Sequence, residues 1–328
     1  MTTAAREFEL VLHTSRLAYR GVRRPRGCVD LVVDGEVVAS TELAGGELVE
    51  LDPMTGTTEL HPAQTEPVPF GGLAEGVKRV ELWLPHNETV ELVELRTDEP
   101  VQPAEPTGRL WVHHGSSISQ GSNAASPSRT WPVIAARRGG VELRNLGFGG
   151  SAFVDPFVAR VIRDAPADFI SVKFGINVVN LDAMRLRTFV PAVHGFLDTI
   201  RDGHPDTPLL VVSPICCPIH EDAPGPSLPS FDEHGIRFTA GGDPAEVSAG
   251  KLTLSVIRAE LARIVEARAK DDQNLFYLDG LDLYGPDDYA ETRLPDELHP
   301  DAATQQLIGR RFAARAFGAA GPFSIFSP

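Results

Sequence analysis

The chain has 328 residues, room for two domains, and its 42% hydrophobic and 23% charged residues are the profile of a folded globular protein rather than a disordered or fibrous one. With 45 acidic against 30 basic residues the formal net charge is −15, which argues against nonspecific attraction to nucleic acid and leaves no nucleic-acid partner to expect. Met1 to Tyr19 carries charges and no apolar run long enough for a signal peptide or a membrane span, so no membrane partner is expected either. Of three cysteines, Cys28, Cys216 and Cys217, the adjacent pair could close only a strained eight-membered ring. A disulfide framework is therefore not expected, and a reduced, cytoplasmic compartment is the expectation. Nothing in the chain indicates an oligomeric state.

Residues 1–105 read as β structure. Val29, Leu31 and Val33 alternate, Asp34-Gly35 supplies a hairpin turn, and Val37 and Ala39 resume the alternation. Val80-x-Leu82-x-Leu84 repeats the pattern, and after Pro85-His86-Asn87 comes Val90-x-Leu92. With no helical period in the region, the expectation is a small antiparallel β-sandwich, closed by the stiff linker Val101-Gln102-Pro103-Ala104-Glu105-Pro106.

From residue 106 to 328 the grammar is that of a second domain, in which strands alternate with helices. Apolar runs at Leu110–His113, Val141–Leu146, Phe169–Phe174, Leu209–Ser213 and Leu275–Leu278 predict five strands. Between the second and third, Asp155-Pro156 reads as a helix start, with Phe157, Val158, Val161 and Ile162 on one face. Phe189, Val193, Phe196, Leu197 and Ile200 predict the next helix, and Leu254, Ile257, Leu261, Ile264 and Val265 another. Leu307, Ile308 and Phe312 form the closing stripe. This alternation implies a parallel sheet covered on both faces. The Pro- and Gly-rich stretch from Pro214 to Ala249 is too long for a simple connection and is placed to overhang a site as a lid.

Ligands in open parallel sheets bind beyond the carboxyl ends of the strands. Here the first strand runs into Gly115-Ser116-Ser117-Ile118-Ser119-Gln120-Gly121, the second into Asn145-Leu146-Gly147-Phe148-Gly149-Gly150-Ser151, and the third into Gly175-Ile176-Asn177. Asp296-Glu297-Leu298-His299-Pro300 follows the fifth. In this order the four blocks resemble those of the SGNH hydrolases, or GDSL esterases, over residues 108–318. The preceding sandwich, with Gly115–Gly121 and Asn145–Phe148, resembles the two-domain subset that includes carbohydrate deacetylases. The resemblance implies a three-layer α/β/α domain of flavodoxin-like order and a metal-independent serine esterase with no cofactor. Its substrate would be a short-chain ester, acetyl first among them, of a carbohydrate or small metabolite. It departs from the family pattern at Ser116 and Val178, where aspartates are usual.

A serine hydroxyl near neutral pH needs an adjacent base. The resemblance assigns Ser117 as nucleophile, His299 as the base that later protonates the leaving alcohol, and Asp296 as the group that orients the imidazole. The backbone N–H groups of Ser117 and Gly150 and the Asn177 amide would form the oxyanion hole. Acyl transfer or thioester hydrolysis would use the same residues, and an inactive carbohydrate-binding relative is a third reading. Each block also has a plain structural meaning: Ser117 as a helix cap, Gly150 as a turn glycine, Asn177 as a cap, His299 as a surface histidine. His113 and His114 point to opposite faces of a strand and so suit structural or pocket-lining roles better than one metal. Trp131 and Cys216-Cys217 read as packing. Lys173, with Ser171 opposite the Ile170-Val172-Phe174 face, is either solvated near the strand end or reaches toward the site.

Overall fold

In the computed structural model, residues 1–21, 25–52, 55–106, 108–232 and 235–324 are described. The chain divides into two compact units, Met1–Pro106 with Ala125–Arg129, and Thr107–Ala124 with Thr130–Pro328.

Among its described residues the first unit holds ten strands: β1 (Thr2–Thr3), β2 (Phe8–Tyr19), β3 (Cys28–Val33), β4 (Glu36–Glu42), β5 (Glu47–Leu51), β6 (Thr58–His61), β7 (Glu66–Phe70), β8 (Lys78–Trp83), β9 (Thr89–Thr97) and β10 (Val101–Gln102). They form two sheets, one in the order β10-β1-β8-β3-β4 and one in the order β6-β5-β2-β7 with β9 also paired to β2. A core of Phe8, Leu10, Leu12, Val29, Leu31, Val68, Phe70 and Val80 fills this unit. The β3–β4 hairpin turns at Asp34 and Gly35, both with positive φ (50° and 87°), as a tight two-residue turn requires. Pairing is antiparallel with one exception: β5 runs parallel to the second half of β2, Ser15 to Tyr19. The buried Asp30 carboxylate accepts hydrogen bonds from Ser126 Oγ (2.5 Å) and from the Ser128 backbone N–H (3.0 Å), which ties the Ala125–Arg129 excursion into this unit.

The second unit runs β11 (Leu110–Ser116), α1 (Ser117–Gln120), α2 (Trp131–Gly139), β12 (Glu142–Phe148), α3 (Pro156–Asp164), β13 (Phe169–Lys173), α4 (Ile176–Asn180), α5 (Leu186–Gly203), β14 (Leu209–Val212), β15 (Ser227–Asp232), β16 (Gly235–Ala240), α6 (Leu254–Arg268), β17 (Leu275–Leu278), α7 (Pro286–Glu291) and α8 (Ala302–Ala316). Its sheet is wholly parallel, in the order β12-β11-β13-β14-β17, the flavodoxin-like arrangement. On one face Trp111 stacks on Phe312 of α8 (centroids 5.0 Å apart) beside Trp131 of α2. On the other, His114 and Phe174 meet Phe196 of α5. Trp131 is thus a core residue. Every apolar position expected to face inward from α5 and α6 is buried.

The helix after Asp155 differs from its expected face. Val158, Ala159 and Ile162 are buried, whereas Phe157 and Val161 are each 49% exposed. Phe157 instead stacks over Phe148 at 6.0 Å, and Asp155 accepts the Phe153 N–H rather than capping the helix through its side chain. Among the described residues no helix is long and apolar enough to cross a membrane. The Pro214–Ala249 segment is not structureless: its middle forms the antiparallel hairpin β15–β16.

Candidate active site

The loops that leave β11, β12 and β13 emerge at the carboxyl edge of the sheet, on either side of the point where strand order reverses between β11 and β13. Ser116 ends β11 and is the N-cap of α1, its hydroxyl accepting the Ile118 N–H. Ser116, the first of the two departures noted in the sequence, therefore has a local task, and Ser117 is not itself the cap. Ser117 is only 8% exposed, and its Oγ lies 2.9 Å from His299 Nε2.

The loop after α7 is shaped by one side chain. Asp296 Oδ1 accepts the backbone N–H groups of Leu298 (3.0 Å) and His299 (2.6 Å), curling the chain so that the imidazole reaches the second oxygen. His299 Nδ1 donates to Asp296 Oδ2 at 2.7 Å. Burial alone would raise the Asp296 carboxyl, but the hydrogen bonds from the His299 ring and the loop backbone outweigh it and hold the group below its ordinary value. An ionised Asp296 keeps the proton on Nδ1, which leaves the Nε2 lone pair facing the Ser117 hydroxyl.

Gly150 has φ +71°, a conformation that favours glycine, and its N–H has no acceptor among the described residues. Asn177, on α4, is buried. Its Oδ1 accepts the Ala152 N–H at 3.1 Å, which fixes the carboxamide so that its amide hydrogens stay unengaged among the described residues. Its neighbour Val178, the second departure from the family pattern, is a core residue.

Several other titratable groups are buried near these loops. His113 bridges Ser171 Oγ (2.7 Å, through Nδ1) and Ser119 Oγ (2.8 Å, through Nε2), and Trp111 Nε1 donates to the same Ser171 hydroxyl (2.9 Å). Burial holds His113 well below its usual value. His114 faces the opposite layer, with Nδ1 on Leu146 O at 2.7 Å, so the two imidazoles do not converge. Lys173 is buried, 4% exposed, not solvated; burial first, and then the charge of Arg258, push it down to about 8. Cys216 and Cys217 are free, buried thiols, both pushed up by burial and so poor nucleophiles. Among the described residues, Glu50, Glu59 and His61 form the one group close enough to hold a metal. They are in the first unit, where Arg20 already pairs with Glu50 and Glu59.

One contact escaped sequence reasoning. Phe238 of β16 donates its backbone N–H to Asp296 O (3.0 Å), and its ring meets the His299 ring at 6.0 Å, nearly perpendicular. The residue stands in a Pro- and Gly-rich stretch whose alternation is too short to mark a strand.

Residues 114–307 match the model of the GDSL-like lipase/acylhydrolase family. Comparison with curated proteins returns no match. Among solved structures, the chain is similar to the salicylyl-acyltransferase SsfX3 from a tetracycline biosynthetic pathway: 28% identity, 94% of this chain and 78% of that one, TM-score 0.75. Two family two carbohydrate esterases share the fold. The one from Clostridium thermocellum, in complex with cellohexaose, is 15% identical over 96% of this chain and 89% of its own, TM-score 0.63. The one from Cellvibrio japonicus is 14% identical over 95% and 85%, TM-score 0.57.

Proposed function

The chain belongs to the GDSL-like lipase/acylhydrolase family, and from that membership we propose that it is a serine esterase cleaving short-chain esters, acetyl first, of a carbohydrate or small metabolite. The observation that carries the reading is the continuous chain Ser117 Oγ–His299 Nε2 and His299 Nδ1–Asp296 Oδ2 at the sheet's carboxyl edge. In this reading His299 takes the Ser117 proton as Oγ attacks the ester carbonyl. The tetrahedral oxyanion is met by the N–H groups of Ser117 and Gly150 and by the Asn177 amide. Removal of one such donor typically costs ~2.7–4 kcal/mol of transition-state stabilisation. His299 then passes the proton to the leaving alkoxide, and water repeats the sequence on the acyl-enzyme. None of these steps calls for a cofactor.

The test is release of p-nitrophenol from the acetate ester, abolished by Ser117→Ala. The acyl group should be short. In the Pro214–Ala249 stretch Leu228 and Phe231 are exposed, and the apolar residues are spaced among Pro, Gly and polar ones instead of forming a continuous apolar wall. Each CH₂ contributes about 0.8 kcal/mol only where water is excluded. We expect kcat/KM for p-nitrophenyl esters to fall from acetate or propionate to octanoate; a rise through octanoate would favour a lipase.

Transfer to an alcohol acceptor is a second reading, favoured by the likeness to an acyltransferase. Adding an alcohol to the acetate assay separates the two: a transferase forms the new ester at the expense of free acetate.

A further inference from the structure

We infer that Phe238 sets selectivity on the alcohol side of the site, by offering its ring to alcohols that present a flat apolar ring face, alicyclic or pyranose. The inference rests on the esterase reading above. The base that protonates the leaving group must have the alcohol oxygen within hydrogen-bond reach of Nε2. Whatever packs against the His299 ring therefore borders the alcohol rather than the carbonyl oxygen. Phe238 is the aromatic residue in ring contact with His299.

Its position is held by backbone geometry. Phe238 is paired with Pro229 across the hairpin. Proline has no N–H, and the Phe238 N–H points away from the hairpin to Asp296 O. The outer edge of β16 is thus fastened to the loop that carries His299. A second tie joins the base of β15 to α4, where Ser227 Oγ donates to Asn180 Oδ1 at 3.1 Å and also meets His220 Nε2 at 2.6 Å. Alternation then places Pro229, Phe231, Ile236 and Phe238 on one face of the hairpin. That face is an apolar strip leading away from His299. A linear alcohol would cover little of it, whereas a ring would lie along it.

The test compares acetate esters of two alcohols with similarly poor leaving groups, cyclohexylmethyl acetate and ethyl acetate, with ethyl butyrate as an acyl control. Phe238→Ala should lower the cyclohexylmethyl-to-ethyl ratio of kcat/KM by about tenfold, the scale of a lost apolar pocket contact, with the change mainly in KM. Phe238→Trp should restore most of the ratio, and Phe238→Leu, apolar but not flat, only part of it. The acetate-to-butyrate ratio should shift by less than about twofold, because the acyl side is not touched. An equal loss for both alcohols, or a shift in the acyl ratio instead, would overturn the role of Phe238 while leaving the esterase reading standing. A wild-type enzyme inert toward all three esters, or hydrolysis surviving Ser117→Ala, would overturn that reading and this inference with it.

Discussion

Replacing Ser117 with Ala should lower kcat for p-nitrophenyl acetate by roughly 10⁴- to 10⁶-fold, and His299→Ala should do nearly the same. The double variant should be little slower than either. The reason is the 2.9 Å contact between Oγ and Nε2. Without the base the hydroxyl stays protonated and weakly nucleophilic, and without the hydroxyl the base has nothing to activate. Two groups that act only together cannot lose their effects twice. Steady-state kinetics of the four proteins, with circular dichroism to verify folding, decides the matter. Losses that add in log kcat would mean separate roles and would remove the mechanism proposed for the pair.

Asp296→Asn should cost about 10⁴-fold in kcat with little change in fold. The asparagine carbonyl can still accept the Leu298 and His299 N–H groups that shape the loop. Its amide, however, would donate toward Nδ1 where the carboxylate now accepts. His299 would then carry its proton on Nε2 and present a donor to Ser117, the wrong tautomer for a base. EDTA should leave the activity of both proteins unaltered. Activity that collapses with chelator and returns with a divalent ion would recast Asp296 as a metal ligand.

Much of the second unit was legible because its elements bury whole faces and so carry clean periods. The stripes of α5 and α6 and the five apolar strand cores are examples, and together they imply the parallel sheet. Ser117, Gly150 and Asn177 stand just beyond strand ends, whereas His299 lies in the loop after α7 and was marked by the Asp296-x-x-His299 block of the resemblance. What periodicity missed depends on partners far along the chain. Phe157 and Val161 fit a helical stripe, yet the outer part of that stripe is half-exposed, with Phe157 covering Phe148. The parallel β2–β5 pair lies in a region whose alternation says nothing of strand direction. In the β15–β16 hairpin Pro229 and Gly235 interrupt the pattern, and only the tie from Phe238 to Asp296 shows what the segment does there. Lys173 stayed ambiguous for the same reason: alternation assigns it a face but cannot say what closes over that face.

Helix α1, which begins with Ser117, has only four residues, far below the length at which a helix holds itself together in water. It is clamped from two sides. The His113 imidazole grips Ser119 Oγ, and β12 approaches so closely that a Cβ on Gly147 would sit 2.5 Å from the Gln120 backbone nitrogen. In the esterase reading, Ser117 would thus have no melting transition of its own. Its alignment is a property of the sheet, and a fluctuation that frees Ser117 must also part β11 from β12 or break the buried His113 network. Heat should therefore extinguish activity together with global structure, without an earlier, inactive but folded stage. In that reading a side chain at residue 147, though outside the proposed reacting groups, would act on catalysis by shifting Ser117 as a rigid body.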